Sequence, residues 1–192
     1  MNSSPVFEWD ESLPRLLGAR VVLRPLRDDD VSALFTIFGD ADAMRYWGSP
    51  PLADVSGARA LLDDIRRHFR ARTLFQWGIA AESDTLLGTT TLFQIDQEHR
   101  RGVIGFALGR AHWGRGYASD AVTTVLRFAF EQLRLHRIEA DPDPQNTASI
   151  RLLERQGFRY EGLLRERYFL DGEPQDAAYY GLLRPEWTGE PG

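Results

Sequence analysis

The chain contains no cysteine. Disulfides, thiolate metal sites and a cysteine nucleophile are therefore excluded. It contains no lysine either, since all 23 basic residues are arginine. A nucleotide triphosphatase loop, which needs Gly-Lys-Ser/Thr, cannot be present. No apolar run approaches the ~20 residues of a membrane helix. The first ten residues, Met1 to Asp10, lack a basic segment followed by an apolar core, so no secretory signal is read there. The expectation is a cytoplasmic protein with no membrane partner. Positive charge is not in excess: the formal net charge is −5. Nucleic-acid binding, which needs a basic face, is not expected. His68, His99, His112 and His136 share no ligand spacing, so no metal is expected. A Gly-x-Ser-x-Gly nucleophile elbow is also missing.

What the chain does have is enough apolar material for one core: 192 residues at 43% hydrophobic. The reading is a single domain over residues 19–187, a polar arm over 1–18 and a short tail over 188–192. Residues 20–26 read as a strand, ended by Pro25. Asp28, Asp29 and Asp30 open a helix reaching about Phe38. Residues 39–51 read as a loop. A second helix starts near Asp54, with Val55, Ala58, Leu61, Leu62, Ile65 and Phe69 on one stripe. Residues 75–81 and 86–96 form a hairpin, and 103–108 the next strand. A bulge is expected at Gly105. Residues 121–133 carry a helical apolar stripe and 137–140 a short strand. A helix runs from Asn146 to Gly157. Residues 159–170 and 175–183, joined at Asp171-Gly172, close the chain as a hairpin. The order β-α-α-β-β-β-α-β-α-β-β predicts an α/β (α+β) fold with a mixed, mostly antiparallel central sheet flanked by helices.

Residues 109–120, Gly-Arg-Ala-His-Trp-Gly-Arg-Gly-Tyr-Ala-Ser-Asp, join a strand to a helix. Gly114 and Gly116 allow positive φ and close approach of a ligand to the main chain. A helix start presents about four unpaired N–H groups and a partial positive charge. That combination holds phosphates, and Arg110 and Arg115 flank it. Asp120 would repel phosphate, so it is expected to point away and cap the helix. A dinucleotide fold is not indicated: Ser119 stands where the third glycine belongs, and the loop lies mid-chain.

Four segments then resemble one family: Leu23-Arg24-Pro25-Leu26; Trp113 to Ala118; Asn146-Thr147-Ala148-Ser149 with Leu153 to Phe158; and Glu161-Gly162. In this order they resemble the Gcn5-related N-acetyltransferase (GNAT) superfamily, and its RimJ/RimL-like branch, which acetylates N-terminal amines of ribosomal proteins. The resemblance implies acetyl transfer from acetyl-CoA to a primary amine. It places the pyrophosphate on the amides of Trp113, Gly114, Arg115, Gly116, Tyr117, Ala118 and Ser119. The pantetheine arm would lie along Phe106, Ala107 and Leu108, in a slot opened near Gly105. Asn146 would hold the pantetheine or thioester region. Ala111 departs from the Gln or Arg usual in the family's loop. Pairing of two copies into a homodimer is a further expectation of the resemblance.

Amine attack on a thioester needs a neutral amine, a polarised carbonyl and a protonated leaving thiolate. The Leu108 N–H, or a neighbour on that strand, is the candidate for the carbonyl. Leu153 replaces the family's usual tyrosine acid, and Ser149 matches the serine of the RimJ/RimL-like branch. Val103 replaces the usual glutamate base. The branch's alternative glutamate falls at Tyr168, with Glu166 two residues earlier on the same face; Asp96 and Glu98 are further candidates. The expectation is that no single strong base exists and water relays the proton. Tyr46, Trp47, Phe75, Trp77 and Phe93 are candidates for the acceptor wall, with Tyr46, Trp47 and Trp77 as the substrate-contacting set. Small-molecule amine transfer and a non-catalytic CoA-binding module are the competing readings.

Overall fold

In the computed structural model, which describes residues 12–170 and 172–189, Leu16–Leu17 (β1) pairs antiparallel with Val22–Arg24 (β2). Proline after Arg24 stops the second strand, as its missing donor requires. The region read as an arm is tied in from residue 13 onward. Leu13 is buried, and the Pro14 carbonyl accepts a hydrogen bond from Trp77 Nε1 at 2.8 Å. Residues 1–11 of the arm, Asp171 of the last turn and 190–192 of the tail lie outside the described residues.

The remaining elements are α1 (Val31–Phe38), α2 (Ala41–Met44), α3 (Val55–Arg70), β3 (Leu74–Ala80), β4 (Leu86–Asp96) and β5 (Arg101–Leu108). Then come α4 (Tyr117–Arg127), β6 (Arg137–Ala140), α5 (Thr147–Arg155), β7 (Arg159–Leu170) and β8 (Glu173–Leu183). Eight strands form one sheet in the order β1-β2-β3-β4-β5-β6-β8-β7. Every pairing is antiparallel except β5 with β6. The mixed sheet expected from the sequence is therefore present.

Alternation along the strands sorts the core into two layers. Ile104, Leu108, Ile138, Ala140, Tyr180 and Leu182 pack with α4 and α5. Ala107, Leu26 and Leu86 pack on the other face with α1 and α3. Helix α3 starts at Asp54, whose carboxylate accepts from Gly57 N at 3.0 Å. Helix α4 begins four residues before the apolar stripe suggested, and its continuation Phe128–Gln132 is a π-turn. The loop read over 39–51 contains α2, capped by Asp40.

Two expectations are corrected. Gly105 carries no bulge: β4 and β5 pair without a break from Gly88↔Leu108 to Phe93↔Val103. The irregularity lies at 94–95 on β4, where Gln94 takes φ +48°. Trp77 is 0% exposed, stacks on Phe75 with ring centroids 5.5 Å apart, and meets Phe128 edge-on. It belongs to the core, because on this strand its position faces α4 and its indole N–H already has a backbone acceptor. Phe75 is likewise core.

Buried Arg24 anchors the corner after β2. Its guanidinium makes two bonds to Asp30, at 2.7 and 2.9 Å, and its Nε reaches Asp84 at 2.7 Å. Burial pushes the Asp30 carboxyl up, but hydrogen bonds from Arg24 and Arg27 N with the Arg24 charge outweigh it and hold the pKa below the ordinary value. Asp30 thus contributes stability above the ordinary carboxylate range, and the contribution is lost as pH falls through its lower folded value. Asp30→Ala leaves a buried cation short of a partner. It should cost about 3–5 kcal/mol in chemical denaturation at pH 7 and clearly less near pH 2; an equal loss at both would be inconsistent with the pair.

Candidate functional site

The parallel contact between β5 and β6 is short. Arg101↔Arg137, Gly102↔Ile138 and Val103↔Glu139 pair, and then the strands part. Strand β5 runs on to Leu108 beside β4, while β6 turns with β8. Gly109 N donates to Leu87 O at 2.9 Å, which fixes the alternation of the β4–β5 ladder. By that alternation the main-chain groups of Phe106 and Leu108 point away from β4, into the gap that β6 leaves. The Leu108 carbonyl there accepts from Trp113 Nε1 at 2.8 Å. Phe106, Ala107 and Leu108 thus form one wall of a slot, although by strand divergence and not by a bulge.

The loop beyond Leu108 makes a 3₁₀ turn over Arg110–His112 and then enters α4. Gly114 has φ +71° and Gly116, the residue preceding α4, φ +82°. A side chain is disfavoured at both. The hydrogen bond closing the first turn runs from Asp120 N to Gly116 O at 3.0 Å. The N–H groups of Tyr117, Ala118 and Ser119 precede it and have no intrahelical acceptor. Exposed Trp113 and Arg115 border this group, and an open depression of about 490 Å³ lined by Arg20, Ala81, Glu82, Ser83 and Tyr117 lies alongside.

Side chains around the loop are committed in ways the sequence did not display. Asp120 points away from the loop, as expected, but does not cap the helix. Its carboxylate accepts from Ala19, Arg20 and Val21 N at 2.9, 2.7 and 2.9 Å, fastening the β1–β2 turn to α4. Arg110 pairs with Asp42 at 2.6 Å and Asp40 at 3.4 Å, so it is drawn toward α2. Arg20 Nη1 donates to Arg115 O at 3.2 Å. The Ser119 hydroxyl accepts from buried Gln156 Nε2 at 2.9 Å, joining α4 to the end of α5. Gln156 lies inside the Leu153 to Phe158 segment of the resemblance, but nothing local marked its tie to Ser119.

Asn146 precedes α5, and its Oδ1 accepts from Ser149 N at 3.1 Å. Ser149 is half-buried, and its hydroxyl makes no hydrogen bond within the protein among the described residues. A helix-start serine often bonds nearby backbone; this one does not.

The other candidates are scattered. Tyr168 donates its hydroxyl to Asp141, and burial together with that carboxylate pushes its pKa up to about 12. Glu166 is not on the regular face assumed for it. It sits in a β7 bulge at φ +51°, exposed, with its N–H bonded to Asp176 at 2.8 Å. Asp96 caps the β4–β5 turn by accepting from His99 N at 2.8 Å, which keeps its pKa low. Asp96 and exposed Glu98 lie at the Arg101 end of β5, the end away from Leu108. Tyr46 is exposed; Trp47 is half-buried and packs edge-on against Phe38 at 5.8 Å. Phe93 approaches Gly105, where a Cβ would sit 3.7 Å from its ring.

Glu139, missed by the sequence reading, is 6% exposed beside the divergence point. Arg137 Nε bonds it at 2.7 Å and Arg101 Nη1 at 3.4 Å. Burial and the Glu139 carboxylate raise the pKa of Tyr179.

Residues 20–159 match the Acetyltransferase (GNAT) domain. The chain is 37% identical over 177 residues to the "Uncharacterized N-acetyltransferase p20" of Bacillus licheniformis, covering 91% of this chain and 98% of that protein. It is 23% identical over 171 residues to the spermidine N(1)-acetyltransferase of Vibrio cholerae, covering 89% of this chain and 97% of that one. Among solved structures, Mycobacterium smegmatis RimJ in complex with CoA-disulfide superposes with a TM-score of 0.81 at 25% identity, over 91% of this chain and 89% of that chain. The slot, the two-glycine loop and these likenesses converge, and the chain belongs to the GNAT family of N-acetyltransferases.

Proposed function

We propose that the chain moves the acetyl group of acetyl-CoA onto a primary amine, and that the slot between β5 and β6 seats the cofactor. The observation that carries this reading is the pair of main-chain edges meeting at one place. Phe106 offers a strand-like donor and acceptor inside the slot and Leu108 a donor, its carbonyl being held by Trp113. The amides of Tyr117, Ala118 and Ser119 offer unpaired donors at its end, behind Gly114 and Gly116. An arm rich in amides binds the first and a diphosphate the second. The group supplies an activated acetyl thioester; the protein's work is to hold and polarise it.

In that work a slot-facing N–H of β5, that of Leu108 or of its neighbour Phe106 beside Gly105, is the donor for the thioester oxygen. Asn146 holds the pantetheine end. The Ser149 hydroxyl gives the proton to the leaving thiolate, which its lack of an internal partner leaves it free to do. Arg115, without an ion pair among the described residues, adds charge at the phosphates. Tyr46 and Trp47 belong to the acceptor side; Trp77 does not.

The acceptor is read as a protein N-terminal amine, supported by the RimJ likeness. The spermidine-acetylating relative favours a polyamine as the second reading. Release of CoA thiol from acetyl-CoA, with a peptide bearing a free α-amine and with spermidine as acceptors, tests both. Turnover with neither would leave a CoA-binding module.

Gly116→Val forces a β-branched residue to positive φ and should weaken CoA binding at least ~100-fold by calorimetry, with residual folding checked by circular dichroism. Unaltered affinity would remove the loop from the site. Ser149→Ala should lower kcat by ~10- to 100-fold, at the low end of acid–base effects, while the KM for acetyl-CoA moves less than about twofold. A full kcat in that variant would take Ser149 out of the reaction.

A further inference from the structure

Strand β6 reads as a short structural strand, yet the face it turns away from α4 and α5 is chemically loaded. Ile138 and Ala140 point into the core, so Arg137, Glu139 and, past the strand's end, Asp141 face the other way. This is the side of the sheet toward which Val103, Gly105 and Ala107 of β5 also turn. The paired residues Arg101↔Arg137, Gly102↔Ile138 and Val103↔Glu139 set a parallel register. Carried two residues further, it sets Gly105 opposite Asp141, across the gap where the strands have separated. One wall is thus small and apolar, and the other carries a carboxylate.

That carboxylate is held in place. The Tyr168 hydroxyl donates to it from β7, and Arg167 Nε lies 4.0 Å away. The flanking β6–β8 ladder continues past the strand, with Ala178 N donating to Pro142 O at 2.9 Å. The Asp141 side chain is largely but not fully covered, at 19% exposure. The charged and titratable groups facing it are Arg167 and Tyr168 of β7, Tyr179 of β8, and Glu139 with Arg137 of β6. Arg137 is occupied by Glu139 and, at 2.9 Å, by Glu161 of the first β7 bulge. Arg167 is the other cation within reach, and its side chain is half exposed, so it screens Asp141 weakly.

We infer that Asp141, steadied by Tyr168, is the group that receives the proton of the acceptor amine. This rests on the cofactor lying along Phe106–Leu108, which brings the thioester near Gly105. The acceptor arrives as R–NH3⁺ and gives one proton to an Asp141 carboxylate oxygen. The freed nitrogen lone pair attacks the thioester carbonyl carbon. A C–N bond forms and the C–S bond breaks, its electron pair leaving on sulfur. Ser149 gives its hydroxyl proton to that sulfur and is reprotonated by the second nitrogen proton, giving the amide and the CoA thiol. Asp141 sits just past the end of β6, and the Tyr168 hydroxyl of β7 reaches it across β8. Tyr168, raised to about 12, stays protonated and keeps donating across the working range.

The test is the pH–rate profile of Asp141→Asn with acetyl-CoA and a peptide whose α-amine titrates near ~8. Spermidine serves as the second acceptor. At pH 6.5 the variant should lose ~100-fold or more in kcat/KM for the peptide. The deficit should shrink below about tenfold at pH 9, where the amine arrives neutral. CoA affinity by calorimetry should be unchanged. Tyr168→Phe should lose about three- to tenfold with the wild-type profile shape, because the carboxylate remains but is less well held. Asp141→Glu should recover part of the low-pH activity. A deficit that is the same at every pH, or no deficit, overturns the assignment of Asp141 while leaving the cofactor site intact. A wild-type chain that binds CoA yet acetylates neither acceptor overturns the assignment with the function. Loss of CoA binding in neither Asp141→Asn nor Gly116→Val would instead mean that the cofactor seat itself is wrongly placed.

Discussion

One parallel contact governs this molecule. Antiparallel neighbours can be joined by a tight turn, but parallel neighbours need a crossover of a dozen residues or more. Between β5 and β6 that crossover holds the glycine loop, α4 and its π-turn. The contact is also kept to three residue pairs. A longer ladder would close the gap and pair the main chain of Phe106 and Leu108 with β6. A missing ladder would leave no fixed register between the two walls. The short contact therefore creates the slot and at the same time delivers a helix N-terminus to its end.

The loop at that end is kept open by partners outside it. Asp120 gathers three consecutive N–H groups of the β1–β2 turn, and Gln156 ties Ser119 to α5. Arg24 fixes the next corner through Asp30 and Asp84. These contacts bring segments about 100, 37 and 60 residues apart in sequence to fixed positions. Preorganisation of this kind lets backbone amides face a charged ligand without reordering at the moment of binding.

The sequence displayed whatever local chemistry decides. Glycines at 114, 116 and 157 take positive φ, Pro25 follows the end of β2, and Asp54 and Asn146 cap their helices. The succession of the longer strands and helices along the chain also followed from the pattern, whereas β1 and α2, too short to show a period, did not. What was hidden depends on neighbours distant in the chain. Trp77 read as a wall of the acceptor cleft and is core, since nothing local tells which face of β3 meets α4. Gly105 suggested a bulge, yet the irregularity belongs to Gln94 on the facing strand. Glu166 was placed on a regular face that a β7 bulge removes. Asp120 read as a helix cap, and its three acceptor bonds could be seen only once residues 19–21 were in place. Glu139 and Asp141 drew no notice because a four-residue strand gives too little alternation to mark a loaded face.

The charged surface also has a chemical character that its geometry alone does not convey. All fifteen ion pairs among the described residues use arginine as the cation. A guanidinium stays protonated and offers no free lone pair, whereas a lysine amine is open to acylation. A thioester donor diffusing over this surface meets no ε-amine to modify. The clamps at Arg24, Arg110 and Arg137 are thus inert to the very reagent the fold is built to handle.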